Sequence, residues 1–324
     1  MSFGDINRVN TNLQALSSQY SLNKINSRLA DNQLKLSTGL RINRAEDDAA
    51  GFSIASKLSG RIAGLEQAER NVGDAKSMLD VAETGVNSIM DILVEMKSKA
   101  TQAGTDSIGS DERGYIADQL EALATEINSI VDSTSFQGTK MLEGNGTDTD
   151  GDADGTGTQS FTFQVGEGSG DTKQVDIDAL AVNTLFSGLI DTDPDVGTND
   201  ENIGVFDHDT TNDTSTEARG ELKIADDAAA SEFRDFIGNI DTAIGTVAGV
   251  INQMGIDQNS LSIRQENLSQ AITSNSAARS RIQDADFAKI QSESVKLQIM
   301  QQTATSALAQ ANTSPQAVLG FLGG

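Results

Sequence analysis

Residues 65–100, LEQAERNVGDAKSMLDVAETGVNSIMDILVEMKSKA, decide the fold. Their apolar positions, Leu65, Ala68, Val72, Ala75, Leu79, Ala82, Val86, Ile89, Leu93, Met96 and Ala100, advance by alternating steps of three and four without a break. That alternation lays a single stripe along a helix for about five heptads, the pattern of a coiled-coil seam. Ile54 and Leu58 carry the phase backwards, so the spacing predicts a helix over 49–100.

A second run lies near the other end: Phe233, Ile237, Ile240, Ile244, Val247, Ile251, Met254, Leu261, Leu268 and Ile272, with Gln258 and Gln265 at two seam positions. Polar seam residues fix register at some cost in stability. The spacing predicts a helix over 226–272, and at ~1.5 Å per residue each helix spans roughly 70 Å. Similar lengths on either side of one excursion predict an antiparallel pair. Ile116, Leu120, Leu123, Ile127 and Ile130 predict a third, shorter helix that turns the pair into a bundle.

The chain ends repeat the idea. Ile6, Val9, Leu13, Leu16 and Tyr20 step by threes and fours, then Leu22, Ile25, Leu29 and Leu36 resume after a phase slip. At the other end Ile290, Leu297, Met300, Ala304, Leu308 and Ala311 form a stripe. Most amphipathic stripes are ordinary intramolecular core, and the long runs 54–100 and 233–272 are read that way. The terminal stripes have little else of their own chain to bury against, and isolated helices are marginal in water. They are expected to be largely unfolded in the lone chain and to fold on assembly with other copies. These terminal positions are the expected assembly interface.

Composition narrows the function. The chain has 324 residues, 48 acidic against 23 basic, a net charge of −25, 4% aromatic residues, and neither Cys nor Trp. Such a charge repels phosphate backbones and anionic headgroups, which excludes nucleic-acid and membrane-surface partners. Without Cys there is no disulfide framework, thiolate nucleophile or Cys-based zinc site. Residues 1–30 interleave Asn, Ser and Gln among apolar positions, unlike a cleaved signal, and no run of ~18 apolar residues occurs.

Residues 143–230 carry 16 Asp and 5 Glu against 2 Lys and 1 Arg, −18 of the total charge, and 12 of the 30 Gly. Within them Phe161-Thr-Phe163-Gln-Val165 and Val175-Asp-Ile177-Asp alternate apolar and polar residues around a Gly166–Gly170 turn, which predicts a β-hairpin. Beyond Ala179 few large apolar residues occur, so a small, loop-rich surface module is expected. The fold class is therefore mainly α: a long antiparallel coiled-coil or helical-bundle rod built from both chain ends, with a β-hairpin and a small β-containing central module.

No constellation for catalysis or cofactor binding stands out. Asp150-Gly-Asp152-Ala-Asp154-Gly155 matches positions 1, 3, 5 and 6 of an EF-hand loop, but Phe161 occupies position 12, where a bidentate Glu belongs. A solvated acidic turn is the preferred reading, and no metal site is expected. Asp47 and Asp48 precede a helix start and suit capping better than acid–base work. His208, the one imidazole, sits between Asp207 and Asp209 in the acidic stretch, and no GxSxG, GxGxxG or GK[ST] motif accompanies it.

Longer motifs carry a resemblance. Leu36-Ser-Thr-Gly-Leu40-Arg41-Ile-Asn43 followed by Ala45 and Asp47-Asp48-Ala-Ala-Gly51 resembles the N-terminal signature of the bacterial flagellins. Ser280-Arg-Ile282-Gln-Asp-Ala-Asp286, then Gln301-Gln302, Ser306-Ala-Leu-Ala-Gln-Ala-Asn312, Pro315-Gln and Val318-Leu319 resemble their C-terminal arm. Thr134-Ser-Phe136-Gln-Gly138-Thr-Lys140-Met-Leu142 resembles their junction between bundle and hairpin.

The resemblance implies a secreted, non-enzymatic structural subunit that polymerises into the helical flagellar filament for swimming, exported through the flagellum's own channel. It implies other copies of the chain as main partners, with an export chaperone, the filament cap and hook-junction proteins besides. It assigns 1–45 and 281–324 to the two halves of an inner coiled coil, 46–180 and 226–280 to the rod bundle with its hairpin, and 181–225 to a variable outer segment. Leu40, Arg41, Asn43, Asp47, Asp48 and Gly51 form its motif between arm and rod. Where relatives detected by the animal innate receptor are arginine-rich, Ile89-Met-Asp91-Ile-Leu-Val-Glu95 has no Arg, which implies weak recognition or none. The alternatives are a hook–filament junction protein, a secreted enzyme or adhesin on a helical stalk, and a Ca²⁺-dependent extracellular module.

Overall fold

The computed structural model describes residues 11–145, 157–186, 205–206, 222–224 and 228–322. Ile6, Val9, the Asp150–Gly155 stretch and His208 lie outside them. The chain divides into two compact units, Met1–Ala63 with Ala271–Gly324, and Gly64–Gln270.

In the unit 64–270 the two long helices are α2 (Ala49–Ala103) and α5 (Ala230–Gln283), each continuing past the unit's limits. Every seam residue from Leu65 to Ala100 is buried. The helices run antiparallel, because each step up α2 is matched by an equal step back along α5. Arg234 donates to the Gly104 carbonyl (3.0 Å), Lys97 pairs with Asp241 (2.5 Å), Gln258 donates to Asp80 (3.1 Å) and Glu83 (2.7 Å), and Lys76 reaches Gln265 (3.4 Å).

On α5 the buried stripe is Phe233, Phe236, Ile240, Ala243, Val247, Val250, Met254, Asp257, Leu261 and Leu268. The expected Ile237, Ile244 and Ile251 are only half-buried, one position off the seam. Both stripes obey the alternation of threes and fours, and the bulkier isoleucines drew the reading onto the flank while Ala243 held the tight central place. The gap in the apolar stripe after Met254 is filled by Asp257, 3% exposed, where hydrophobic spacing gives no signal.

The third helix, α3 (Ser110–Ser133), buries Ile116, Leu120, Ala124, Ile127 and Val131. After it β1 (Ser135–Phe136) and β2 (Thr139–Lys140) pair through Gln137 and Gly138, both at positive φ (51° and 85°), as a two-residue hairpin turn requires. Helix α2 approaches this junction at Gly85. A Cβ there would lie 2.5 Å from Thr134 Oγ1, so only glycine fits without displacement.

The larger hairpin, β3 (Thr158–Gln164) and β4 (Thr172–Asp178), is the expected one, with Phe161 opposite Val175. On β4, Val175 and Ile177 are buried while Gln174, Asp176 and Asp178 are exposed. Asp171 closes the turn by accepting from the Gly168 amide (2.9 Å). Two polar contacts fasten the hairpin to the bundle. Asn71 on α2 donates to the Gln164 carbonyl (2.9 Å), and Lys173 on β4 pairs with Asp257 on α5 at 2.8 Å.

Helix α3 also holds the chain where it leaves and returns. Asn128 accepts from the Val182 amide at the start of α4 (Val182–Leu185), Glu121 accepts from Ile224, just after β6 (Leu222–Lys223), and Arg113 donates to the Ala228 carbonyl. β6 pairs with β5 (Val205–Phe206). Phe186 stacks on Phe236 with ring centroids 5.6 Å apart, which packs the end of α4 onto α5.

Candidate assembly interface

In the unit formed by 1–63 and 271–324, the terminal helices α1 (Leu13–Thr38) and α6 (Phe287–Leu322) pair antiparallel. Asn12 does two jobs at one end: its side-chain oxygen caps α1 by accepting from the Ala15 amide (3.0 Å), and its amide donates to the Ala311 carbonyl (2.7 Å). Further along, Gln301 donates to Asn26 (2.8 Å). Each arm offers the other its stripe, so one chain contains both halves of the pair.

The apparent phase slip near Tyr20 is a change of face. At 100° per residue, Leu13, Leu16 and Tyr20 lie on the side of α1 opposite to Leu22, Ile25, Leu29 and Leu36. The second set packs inward, Ile25 most deeply, while Leu13, Leu16 and Tyr20 are exposed, Tyr20 to 71%. They line an open apolar depression with Ser17, Gln19 and Asn23.

On α6 the inward stripe is Ile290, Ser294, Leu297, Gln301, Ala304, Leu308 and Ala311. Met300, expected in the seam, is 41% exposed and Gln301 takes its place. Val295 and Ile299 point away from α1 and are exposed as well. Sequence reading missed Asn32, Ser294 and Gln301 because it followed hydrophobicity alone; the spacing of three and four passes through them.

Where α1 ends and α6 begins, the two strands of chain are stitched together. Gly39 caps α1 in the left-handed region (φ 72°), its amide bonding to the Lys35 carbonyl. Leu40 forms a β-bridge with Asp284, the Arg41 amide donates to the Gln283 carbonyl (2.7 Å), its guanidinium to the Ile282 carbonyl (2.6 Å), and the Ala285 amide to the Gly39 carbonyl (2.9 Å). Asn43 donates to the Leu40 carbonyl (3.0 Å).

The acidic pair divides the capping. Asp48 accepts from the Gly51 amide (3.0 Å) at the start of α2, and Gly51 is there because a Cβ would meet Asp48 Oδ2 at 2.6 Å and Ile42 Cδ1 at 2.7 Å. Asp47 instead accepts from the Asn43 and Arg44 amides (3.0 Å each), with Lys35 at 3.9 Å. The Arg44 and Asn43 amides hold its carboxyl below the ordinary carboxylate range. Ile54, expected in the stripe of α2, is 50% exposed; Ala55 and Ile62 hold the buried positions.

A folded-state pKa below the unfolded one means the Asp47 contribution is complete above the ordinary carboxyl pKa of ~4 and is lost as pH falls through the lowered value. We expect hydrogen exchange at the Asn43 and Arg44 amides to accelerate on acidification below about pH 4, beyond the intrinsic pH trend. Asp47→Asn should show faster exchange already at neutral pH and lose that acid step; an unchanged profile would refute the assignment.

Charge distinguishes this unit from the rest. Residues 1–63 and 271–324 carry 12 basic and 8 acidic side chains, a net +4 within a chain of −25. Copies of the chain therefore meet least repulsion through their arms. Among the described residues, no group of three or more His, Asp or Glu is placed to hold a metal ion, and no helix is long and apolar enough to cross a membrane.

Comparison with known proteins agrees with the motifs. Residues 9–147 match the bacterial flagellin N-terminal helical region and residues 237–322 the bacterial flagellin C-terminal helical region. A flagellin of Bacillus subtilis is 33% identical over 322 residues, covering 97% of this chain and 99% of that protein. A flagellin of Serratia marcescens is 33% identical over 354 residues with the same coverage. Among solved structures, a flagellar protein of Vibrio parahaemolyticus described as hook-associated aligns with a TM-score of 0.51 at 14% identity, over 74% of this chain and 100% of its own, which is a likeness of fold.

Proposed function

This chain belongs to the bacterial flagellin family, the structural subunits of the extracellular flagellar filament, and we propose that its paired arms are the surface through which copies polymerise. The observation that carries the proposal is the second apolar face on each arm. Leu13, Leu16 and Tyr20 on α1, and Val295 and Ile299 on α6, are exposed although the helices already bury a stripe against each other. Exposed large apolar side chains gathered on one face mark interaction surfaces.

Burial of each against a neighbour is worth about 1.5–3 kcal/mol. A contact between different surfaces of successive copies does not close on itself and builds an open helical polymer. Ile290, Leu297, Ala304, Leu308 and Ala311, with Ile25, Leu29 and Leu36, hold the arm pair together from inside. Met300 belongs with the outward set. Leu40, Arg41, Asn43, Asp47, Asp48 and Gly51 fix the turn out of the arms, and their role in the polymer is to hold that turn. The acidic segment 143–230, at −18, gives the filament a charged coat that keeps neighbouring outer segments apart. The boundaries 1–45, 46–180, 181–225, 226–280 and 281–324 are the corresponding division into arm, bundle, outer segment, bundle and arm.

The export chaperone, cap and hook-junction proteins are further partners on this reading. The exposed Asp91 and Glu95 on α2 stand where an arginine-rich contact would be needed for innate-receptor binding. A receptor-reporter assay on the purified chain should give weak activation or none; strong activation would overturn that expectation.

The whole proposal is tested by electron microscopy of the purified chain in polymerising salt, beside a truncation lacking residues 1–36 and 288–324. Uniform tubes from the full chain and none from the truncation are expected. Tubes from both would remove the arms from the assembly surface, and none from either, even with filament seeds, would favour the junction-protein alternative.

A further inference from the structure

With no Cys in the chain, its seven methionines are its only sulfur groups, the soft nucleophiles that a peroxide oxidises. Packing sorts them by access. Met78, Met96, Met141 and Met254 are each 2% exposed or less, inside the unit 64–270, and Met90 is half-buried. Met300 on α6 is 41% exposed and, among the described residues, is the one methionine on an arm. It stands at the edge of the inward stripe, about one helical turn from the buried Leu297 and beside Ile299, itself 59% exposed. Its other neighbour in sequence, Gln301, bonds to Asn26 on α1. Separation of α6 from α1 exposes Met300 further, so its thioether is open to solvent whether or not the arms are paired.

We propose that Met300 is an oxidative modification site that controls whether the chain can enter a filament. A lone pair of its sulfur attacks one oxygen of hydrogen peroxide. The sulfur–oxygen bond forms, the oxygen–oxygen bond breaks, and the departing hydroxide takes the proton of the transferred oxygen and leaves as water. The sulfur is oxidised by two electrons, the peroxide is reduced, and the product is the sulfoxide. A flexible apolar side chain thereby becomes a polar one. The consequence for assembly rests on the reading that the outward set, to which Met300 belongs, is covered by neighbouring copies in the polymer. A sulfoxide oxygen in that contact must give up its water in an apolar setting, which opposes burial. The same covering keeps peroxide out, so a subunit already assembled keeps its thioether. Oxidation therefore acts on chains not yet assembled, and methionine sulfoxide reductases reverse it.

Peptide mass spectrometry of the full-length monomer after brief exposure to hydrogen peroxide should find Met300 oxidised about tenfold or more faster than Met78, Met96, Met141 and Met254. Equal rates would overturn the proposal. In seeded filaments Met300 should slow to the rate of those four, and an unchanged rate there would overturn it as well. With seeds, the oxidised chain should elongate more slowly than the untreated chain by about tenfold or more. Treatment with a methionine sulfoxide reductase should restore elongation. Met300→Leu, apolar and of similar volume, should elongate like the wild-type chain and continue to do so after the same dose of peroxide. That result assigns the loss to this sulfur rather than to Met90. Undiminished elongation of the oxidised wild-type chain, or an equal loss in Met300→Leu, would overturn the proposal. Failure of the untreated wild-type chain to elongate would instead overturn the assembly surface on which the proposal rests.

Discussion

Replacing Leu16 and Tyr20 together by aspartate leaves the chain folded and abolishes its polymerisation. Both side chains are exposed, Leu16 to 61% and Tyr20 to 71%, so their loss removes little from the packing of α1 on α6. Surface substitutions of this kind change stability by only about 0.5 kcal/mol. In the polymer both would be buried against a neighbour, and at about 1.5–3 kcal/mol each their removal costs at least ~3 kcal/mol per contact. That raises the concentration needed for assembly more than about a hundredfold, before the cost of two buried carboxylates is added. Circular dichroism should match the wild-type chain while sedimentation finds no polymer. Leu22→Asp, on the opposite side of the same helix, should instead loosen the arm pair itself. Filaments from the double variant at wild-type concentration would show that this face is not used.

The second large effect lies in the bundle. Lys173→Met strands the Asp257 carboxylate, whose side chain is only 4% exposed, with Gln253 as its remaining partner at 3.2 Å. Breaking a buried pair on one side costs roughly 3–5 kcal/mol, and because Lys173 is 25% exposed the lower end applies. Asp257→Leu should cost less, because the freed ammonium can turn outward while an aliphatic side chain completes the α5 seam between Met254 and Leu261. The double variant should recover most of the loss and can exceed the wild-type stability. Urea unfolding of the four chains decides it. A Lys173→Met midpoint indistinguishable from wild type would mean the hairpin is held by burial of Val175 and Ile177 alone.

Much of this was legible in the sequence, for a physical reason. A seam repeated over five heptads overdetermines its phase, so Leu65 to Ala100 could be read without error, and the β4 alternation at Val175 and Ile177 fixed the hairpin in the same way. Reading failed where two phases fit equally well. On α5 the choice between Phe236, Ala243, Val250 and Ile237, Ile244, Ile251 is a choice between adjacent stripes, and only packing against the rest of the bundle separates them. It failed again where polar residues do the work of apolar ones, at Asp257, Asn32, Ser294 and Gln301, because hydrophobic spacing cannot see them.

The arms gave the most instructive error. A stripe that ends at Tyr20 and another that begins at Leu22 look like one seam with a slip, and one seam needs one partner. They are two faces: Leu22, Ile25, Leu29 and Leu36 meet α6, while Leu13, Leu16 and Tyr20 are exposed. The motif from Leu40 to Gly51 was legible as a capping site from Asp47 and Asp48, but the division of labour between them depends on which amides the turn presents. Spacing alone does not specify that.

On this reading, copies of the chain join through the outward faces of the arms. An image reconstruction of its filament by cryo-electron microscopy, at a resolution that shows side chains, tests it most directly. Leu13, Leu16 and Tyr20 of one copy, with Val295 and Ile299, should lie packed against the arms of neighbouring copies. A filament in which those side chains face solvent, with the copies joined only through the unit 64–270, would contradict it.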